Sequence, residues 1–377
     1  MDEWPARSVC VWLFVTLNHS GDLVTSSAGW TGSVAITLGY IKNQLGRQKY
    51  RRLRVNLLRI FVILVVFVVF LSYDFYPNLH HRFMLYHHSR DFSILLRPQA
   101  CNNKQPIFLL LAIKSLSQHA DRRAAIRSTW GHQQNTENFR VQRVFLLGRS
   151  PDVIQGQGVD VIIQEENRDH GDILQWDFEE SFHNVTLKEY LFWKWFEQQC
   201  YPTVKYVLKG DDDVFVNIDN VISFLTLQNS NSRNLYVGKA LVNSYPNRVW
   251  WSKYYIPRFM FSSKPYPPYA GGGAYLLSRE SVHLLHHASK QLDLFPIDDV
   301  YVGMCAEAAN ISVQNHNGFR TYEYTPFNPC LFKKAMAIHQ VLPNALYLMW
   351  SLLKQPLKCP TNEYSIFDLK EMEVVVH

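Results

Sequence analysis

Val204-Lys-Tyr-Val-Leu-Lys-Gly-Asp-Asp-Asp-Val-Phe215 is the stretch on which the fold turns. Its apolar run Val204–Leu208 leads directly into three carboxylates, Asp211, Asp212 and Asp213. Neighbouring carboxylates repel one another and lose solvation when buried, so beside a hydrophobic strand they call for a cation. A divalent ion held there could neutralise a diphosphate leaving group. The plainer alternative is an exposed acidic turn after a strand, and the triplet alone leaves both open.

Working outward, Ile107-Phe-Leu-Leu-Leu-Ala-Ile113 is a continuous apolar run, as a parallel strand covered on both faces requires. A polar helix is expected over Asp121–Trp130, then strands at Val144–Leu147 and Val159–Ile163. Thr186-Leu-Lys-Glu189 reads as a capping box opening a helix to about Gln199. That helix carries Leu187, Tyr190, Leu191 and Trp195 at helical spacing, with Phe192, Trp193 and Phe196 opposite, so burial nearly all round is expected. The pattern is βαβ. In open α/β sheets the ligand crevice lies outside the carboxyl ends of the strands, where the triplet falls.

With 377 residues, 47% of them hydrophobic, the chain can build one large core or two modest ones. The net charge of +6 is unevenly spread. Lys42, Arg47, Lys49, Arg51, Arg52, Arg54 and Arg59 fall in residues 41–73, which hold no acid. A nucleic-acid binder could show such a run, but here it abuts the uncharged segment Ile60–Tyr73. With Val55–Leu58 this approaches the roughly 20 residues of a bilayer span, and Arg59 can snorkel to the headgroups. The basic flank should stay cytosolic, and no small-residue cleavage site follows, so a signal peptide fits poorly. No nucleic-acid partner is expected. The expected organisation is a cytosolic tail (1–54), a single transmembrane signal-anchor (55–75), a luminal stem (76–100) holding His80-His81 and His87-His88, and a folded domain (101–377).

Cys10 falls on the cytosolic side, and Cys101, Cys200, Cys305, Cys330 and Cys359 on the luminal side. None has CxxC spacing, and in an oxidising lumen two bridges with one thiol over is the default. Cys101–Cys200 and Cys305–Cys330 are the expected pairs, with Cys359 unpaired or bridging between chains. Asn184-Val-Thr and Asn310-Ile-Ser are luminal glycosylation sequons, whereas Asn18-His-Ser should stay bare on this topology.

Four more constellations suggest chemistry. Arg123 and Arg127 share a helix face, with Arg122 beside them, and could clamp a diphosphate or simply form a solvated basic face. Tyr266-Pro-Pro-Tyr269-Ala-Gly271-Gly272-Gly273 joins a rigid entry to three glycines, more than a tight turn needs, which would let backbone approach a ligand. Pro296-Ile-Asp298-Asp299-Val-Tyr-Val-Gly303 is a second acidic pair, able to cap a helix or to accept a proton from an attacking hydroxyl. His339, between Ala335–Ile338 and Pro343, is either a core histidine or a nitrogen partner for a metal beside carboxylates.

Taken together these motifs resemble the β-1,3-glycosyltransferase family of Golgi enzymes over roughly Cys101 to Cys359. The signatures are Arg123-Ala-Ala-Ile-Arg127-Ser-Thr-Trp130, Val144-Phe-Leu-Leu-Gly148, Gly171-Asp-Ile-Leu-Gln-Trp-Asp177-Phe and Asn184-Val-Thr-Leu-Lys188-Glu. They continue with Lys209-Gly-Asp-Asp-Asp-Val-Phe, Tyr266-Pro-Pro-Tyr-Ala-Gly-Gly-Gly and Asp298-Asp-Val-Tyr-Val-Gly. Ala270-Gly-Gly-Gly and Pro296-Ile-Asp-Asp-Val are similar to the N-acetylglucosaminyl-transferring branch. The galactosyl-transferring branch more often has Cys-Ser-Gly and Glu-Asp-Val there. Ala274 departs from the branch's frequent fourth glycine, and residues 1–40 have no family counterpart.

The resemblance implies an α/β GT-A-type, Rossmann-like domain behind the anchor, in the Golgi membrane. It implies a UDP-sugar donor, Mn²⁺ or Mg²⁺, and inverting transfer to the 3-hydroxyl of a terminal galactose on a glycoprotein or glycolipid. Asp213 matches the family's metal-binding carboxylate and His339 its second protein ligand, with Asp211 at the metal and, beside Asp212, at the nucleotide sugar. Asp299 matches the catalytic base. Lys114, Arg123 and Arg127 would face the donor, Gly271, Gly272 and Gly273 would line the sugar pocket, and Tyr269, Trp251, Lys253, Tyr254, Tyr255 and Asp298 are acceptor-side candidates. Association with itself or with other glycosyltransferases is compatible with all this. The rivals are a galactosyltransferase, a non-catalytic Golgi chaperone or lectin-like relative, whose triplet would be degraded, and a metal-dependent phosphohydrolase, which would not explain the glycines or the anchor.

Overall fold

The computed structural model describes residues 16–17, 23–24, 47–84, 90–101, 105–133, 139–150, 153–227, 234–249, 251–262 and 264–359. Most of the expected cytosolic tail, with Cys10 and Asn18, and the His87-His88 doublet lie outside them. The chain divides into two units, 1–81 and 82–377. Helix α1 (Arg47–Met84) makes up most of the described part of the first. Every apolar side chain from Leu53 to Val69 on it is exposed. Among the described residues no helix is long and apolar enough to cross a membrane, so the expected span over 55–75 is not shown.

The second unit runs β1 (Ile94–Leu96), β2 (Ile107–Lys114), α2 (Ala120–Ser128), β3 (Val141–Arg149), α3 (Val153–His170), β4 (Ile173–Glu179), α4 (Val185–Gln199), β5 (Val204–Asp211), β6 (Val214–Val216) and α5 (Ile218–Leu227). It continues with β7 (Tyr236–Leu241), β8 (Tyr269–Ser278), α6 (Arg279–Ser289), α7 (Asp298–Ala308), β9 (Gln314–Asn315), β10 (Phe319–Arg320), α8 (Pro329–Lys334), β11 (Ala337–His339) and α9 (Pro343–Leu353). Eight strands form one sheet in the order β9-β7-β8-β5-β2-β3-β4-β1, and β10-β11-β6 form a second. The centre, β5-β2-β3-β4, is parallel, while β8 and β1 join it antiparallel.

Burial on both faces explains the continuous apolar runs. Leu109, Leu111 and Ile113 of β2 join a core with Ala125 and Ile126 of α2, Val221 of α5 and Met349 of α9. Leu110 and Ala112, of opposite parity, are equally buried but lie outside that cluster, on the other face.

Four expectations change. Val159–Ile163 is not a strand but lies inside α3. Its β-branched residues favour a strand locally, yet only Ile163 is fully buried while Val161 and Ile162 are exposed, a one-faced helical pattern that tertiary packing rewards. The third parallel strand is instead β4, Ile173–Glu179, which overlaps the Gly171–Phe178 signature. The capping box is not formed either. Thr186 is buried and its hydroxyl donates to the Phe295 carbonyl (2.6 Å), while the turn before α4 is capped by Ser181. The helix itself is buried along most of its length, from Thr186 to Phe196. Third, the folded body reaches back into the stretch expected as stem, since β1 pairs with β4 and Arg90 donates to the Ser289 carbonyl.

The fourth change concerns the cysteines. Cys101 and Cys200 are bridged, but Cys305–Cys330 is not formed. Cys330 pairs with Cys359, and Cys305 is a buried free thiol inside α7, pushed up to about 12 by burial. Of the sequons, Asn310 is exposed just past α7, whereas the Asn184 amide donates to the Glu179 carbonyl (2.8 Å).

Candidate active site

Strand register assembles the acidic triplet with its partners. β2 and β5 run parallel with Lys114 opposite Asp211, so the amine at the end of β2 lies 3.0 Å from the first carboxylate. β11 pairs antiparallel with β6, placing His339 opposite Val214, and the Val341 N–H donates to the Asp213 carbonyl (2.7 Å). The His339 Nε2 therefore sits 3.2 Å from Asp213 Oδ1 and 3.9 Å from Asp211 Oδ2. Its Nδ1 is 3.2 Å from the Thr321 carbonyl. A carbonyl only accepts, so Nδ1 carries a proton; the hydrogen bond to Asp213 at Nε2 raises this histidine above its ordinary pKa, and a bound ion would take the place of the Nε2 proton.

One donor atom from each of Asp211, Asp213 and His339 lies within 4.8 Å of the others. Two carboxylate oxygens and one imidazole suit a divalent ion such as Mn²⁺ or Mg²⁺, and the carbonyl behind the imidazole is the support such ligands use. The Asp211 carboxyl is pushed up to about 6, by burial first, with Lys114 offsetting only part of that rise. The fit to an ion rests on the donor set itself: two carboxylates and one imidazole converge with donor atoms within 4.8 Å of one another.

Asp212 turns elsewhere. It accepts from Ser115 Oγ (2.7 Å) and Arg122 (2.9 Å) and lies 2.8 Å from His119 Nδ1. Burial pushes this carboxyl up, but His119, Ser115 and Arg122 outweigh it and hold it low. The middle carboxylate thus ties β5 to the loop after β2.

Arg123 and Arg127 form neither a solvated face nor an open clamp. Arg123 is fully buried, donating to Glu166 (2.8 and 2.7 Å), the Ser117 carbonyl and Ser115 Oγ (3.1 Å). Arg127 pairs with Glu166 (2.6 Å) and Asp172 (2.7 Å), and Arg143 joins it on Asp172 (2.6 Å). Burial pushes the Asp172 carboxyl up, yet Arg127 and Arg143 outweigh it and hold it below the usual range. Arg123 therefore reaches the triplet only through Ser115. Arg122, one position earlier, is the guanidinium that meets the carboxylates directly, 3.6 Å from Asp213.

The glycines do their work in β8. Opposite β7 the register jumps between Ala270 and Tyr275, so the segment bulges from that ladder while Ala274 stays paired to Gly210. A Cβ on Gly273 would stand 3.1 Å from His339 Cγ, and one on Gly272 would stand 3.5 Å from Asp299 Cβ. Successive glycines thus bring backbone against a candidate metal ligand and the candidate base. Ala274, the departure from the branch pattern, belongs to the apolar core cluster.

Asp298 and Asp299 open α7 just after Ile297, which holds the cap position, and Asp299 Oδ1 accepts from the Val300 N–H of the first turn (2.8 Å). Asp298 bonds Lys114 Nζ, which outweighs the effect of burial and holds that carboxyl low. Asp299 has no such cation in contact. Burial, and then the charge of Asp298, push it up to about 7, the range of a working general base. Gly303, one turn on, lets α7 approach Tyr269, whose Cβ would be 2.6 Å from an added methyl. Tyr269 is buried, its hydroxyl pushed up to about 12 by burial and then by Asp299.

Behind Lys114 lie residues, several of them within the sequence motifs, that were not expected at the site. Glu189 of α4 is 3.2 Å from Lys209 Nζ and 3.9 Å from Lys114 Nζ, and it accepts from Tyr275 (3.2 Å). Lys188 pairs with Glu180 (2.8 Å) and bonds the Ser115 carbonyl. The available signal was position: Ser115 and His119 follow the carboxyl end of the first strand, where such folds bind ligands. Of the acceptor candidates, Trp251 is exposed and Tyr255 half-buried. Lys253 lies over the rings of Tyr254 (4.8 Å) and Phe182 (5.1 Å), which holds that loop against the start of α4.

The galactosyltransferase family profile matches residues 121–317. The chain is 39% identical to N-acetyllactosaminide beta-1,3-N-acetylglucosaminyltransferase 3 of Homo sapiens, over 77% of this chain and 80% of that protein. It is 43% identical to N-acetyllactosaminide beta-1,3-N-acetylglucosaminyltransferase 4 of Homo sapiens, over 75% and 74%. Identity to UDP-GlcNAc:betaGal beta-1,3-N-acetylglucosaminyltransferase 7 of Rattus norvegicus is 40%, over 74% and 72%.

Proposed function

Since this chain belongs to the galactosyltransferase family, we propose that it transfers N-acetylglucosamine from UDP-GlcNAc to the 3-hydroxyl of a terminal galactose on glycoprotein or glycolipid glycans, with inversion. One observation carries the mechanism: the single Lys114 amine meets both Asp211 of the cation cluster (3.0 Å) and Asp298, the immediate neighbour of Asp299, so base and cluster are tied to one cation.

Asp299 accepts the proton of the acceptor's 3-hydroxyl as that oxygen attacks the anomeric carbon on the face opposite UDP. Lys114 holds Asp298 and Asp211 in place, so Asp299 keeps its proton affinity while its neighbour stays ionised. Gly271–Gly273 admit the donor sugar close to the backbone. Asp211, Asp213 and His339 would hold Mn²⁺ or Mg²⁺, which when bound supplies positive charge for the departing diphosphate.

The proposal includes a single-pass type II anchor over residues 55–75 in the Golgi membrane, with the folded unit in the lumen. Its support is the seven-cation flank and the exposed apolar side chains of α1. The test is Asp299→Asn. Removing a general base should lower kcat by ~10²–10⁴-fold while UDP binding persists; near-normal turnover would overturn the assignment.

A further inference from the structure

A second cluster of metal-ligand type lies outside the active site. Glu197, near the end of α4, and His283 and His287, one turn apart on α6, each offer a donor atom within 4.8 Å of the others. His283 Nδ1 is 2.8 Å from both Glu197 oxygens, and the two imidazole centres are 4.5 Å apart. Glu197 and His283 are half-buried and His287 is exposed, so an ion can enter without opening the fold. None of the three takes part in the proposed reaction.

We propose that Glu197, His283 and His287 form a binding site for a borderline divalent cation of the zinc class, joining α4 to α6. The donor chemistry selects the ion. Two imidazoles and one carboxylate match the common three-protein-ligand zinc set, with water completing a tetrahedron. The active-site cluster, richer in oxygen, suits Mn²⁺ or Mg²⁺ instead.

Geometry agrees. Tetrahedral ligands at ~2.1 Å from zinc lie roughly 3.4 Å apart; the His283–Glu197 pair, at 2.8 Å, needs to open slightly and His287, within 4.8 Å, to close to that spacing, both small side-chain adjustments. Histidines at i and i+4 project from one helix face, the spacing that helical zinc sites use. Tyr201 packs 5.0 Å from the His283 ring and limits its rotation, while Arg279, the nearby cation, is paired with Glu280 (2.8 Å). Binding would replace the direct His283–Glu197 contact with coordination of one ion by both side chains.

The test is zinc uptake by the full chain in detergent, measured by equilibrium dialysis with elemental analysis and by thermal unfolding in the presence of excess Mn²⁺. The wild type and Asp213→Asn should each take up one zinc per chain at this site and melt higher with zinc than without. His287→Asn, a change at an exposed position, should weaken zinc binding by more than the ~10–100-fold typical of losing an outer-shell partner. Glu197→Gln should do the same. Uptake unchanged in His287→Asn, or abolished by Asp213→Asn, would overturn the proposal.

Discussion

Replacing Asp298 with Asn tests how the active site sets its base. The Asp299 carboxyl lies at about 7 rather than its ordinary 3.8, with burial the larger cause and the Asp298 charge the next. Removing that charge, and releasing Lys114 from it, both stabilise ionised Asp299. Since burial remains, less than half of the rise should be lost, about 1 pH unit or ~1.4 kcal/mol. The base works deprotonated, so kcat/KM should climb with pH and level off above about 7 in the wild type. In Asp298→Asn the same limb should move about 1 pH unit toward acid. At pH 6 the variant would then reach ~5-fold more of its own plateau than the wild type does. The assay is transfer from UDP-GlcNAc to a galactose-terminated acceptor across pH 5–9, read as the position of the limb rather than its height, because Asp298 also anchors Lys114 beside Asp211. A limb that stays in place or moves toward alkali would refute the reasoning. Linkage has the opposite sign for stability: a carboxyl whose folded pKa is raised favours folding at low pH, and that contribution is lost as pH rises through about 7.

Three further outcomes are expected. Gly273→Ala would press a methyl to 3.1 Å from the His339 ring and displace it, so Mn²⁺ affinity measured by calorimetry should fall by ~10–100-fold with circular dichroism unchanged. Equal affinity would mean that His339 holds no ion. Asp172→Asn strips a buried carboxylate from Arg127 and Arg143 and should cost about 3–5 kcal/mol in urea unfolding; a loss below ~1 kcal/mol would show that the network is not structural. Non-reducing peptide mapping should recover Cys330 joined to Cys359 and Cys305 unmodified until the chain is denatured. A Cys305-containing bridge would contradict the packing of α7.

The parts legible in the sequence are those whose cause is local. Residues 107–113 and 204–208 announce parallel strands because both faces must be apolar, and the triplet at the end of the second marks the crevice. Val159–Ile163 misleads because β-branched residues look like a strand until Glu166, one turn on, is seen anchoring α3 to Arg123 and Arg127. The roles of those arginines were not legible for the same reason. Whether a guanidinium meets a ligand or a carboxylate depends on Glu166 and Asp172, some 40 residues away in the chain. Arg122 reaches the triplet by helix phase, which spacing alone does not orient. His339 was legible as a candidate, but the register that sets it beside Asp213 belongs to a three-stranded sheet of very short strands. The Cys330–Cys359 bridge spans 29 residues that include α8, β11 and α9, and its pairing depends on how those elements fold back rather than on any spacing signature.

The central claim is that a cation at Asp211, Asp213 and His339 works with Asp299 on a nucleotide sugar. Its most direct test is sugar transfer by the full chain in detergent, with UDP-GlcNAc and a terminal-galactose acceptor, before and after exhaustive chelation and with Mn²⁺ restored. A β-1,3-linked N-acetylglucosamine product should vanish on chelation, return with Mn²⁺, and stay absent in Asp213→Ala under either condition. Undiminished transfer in chelator, or full recovery by Asp213→Ala, would contradict it.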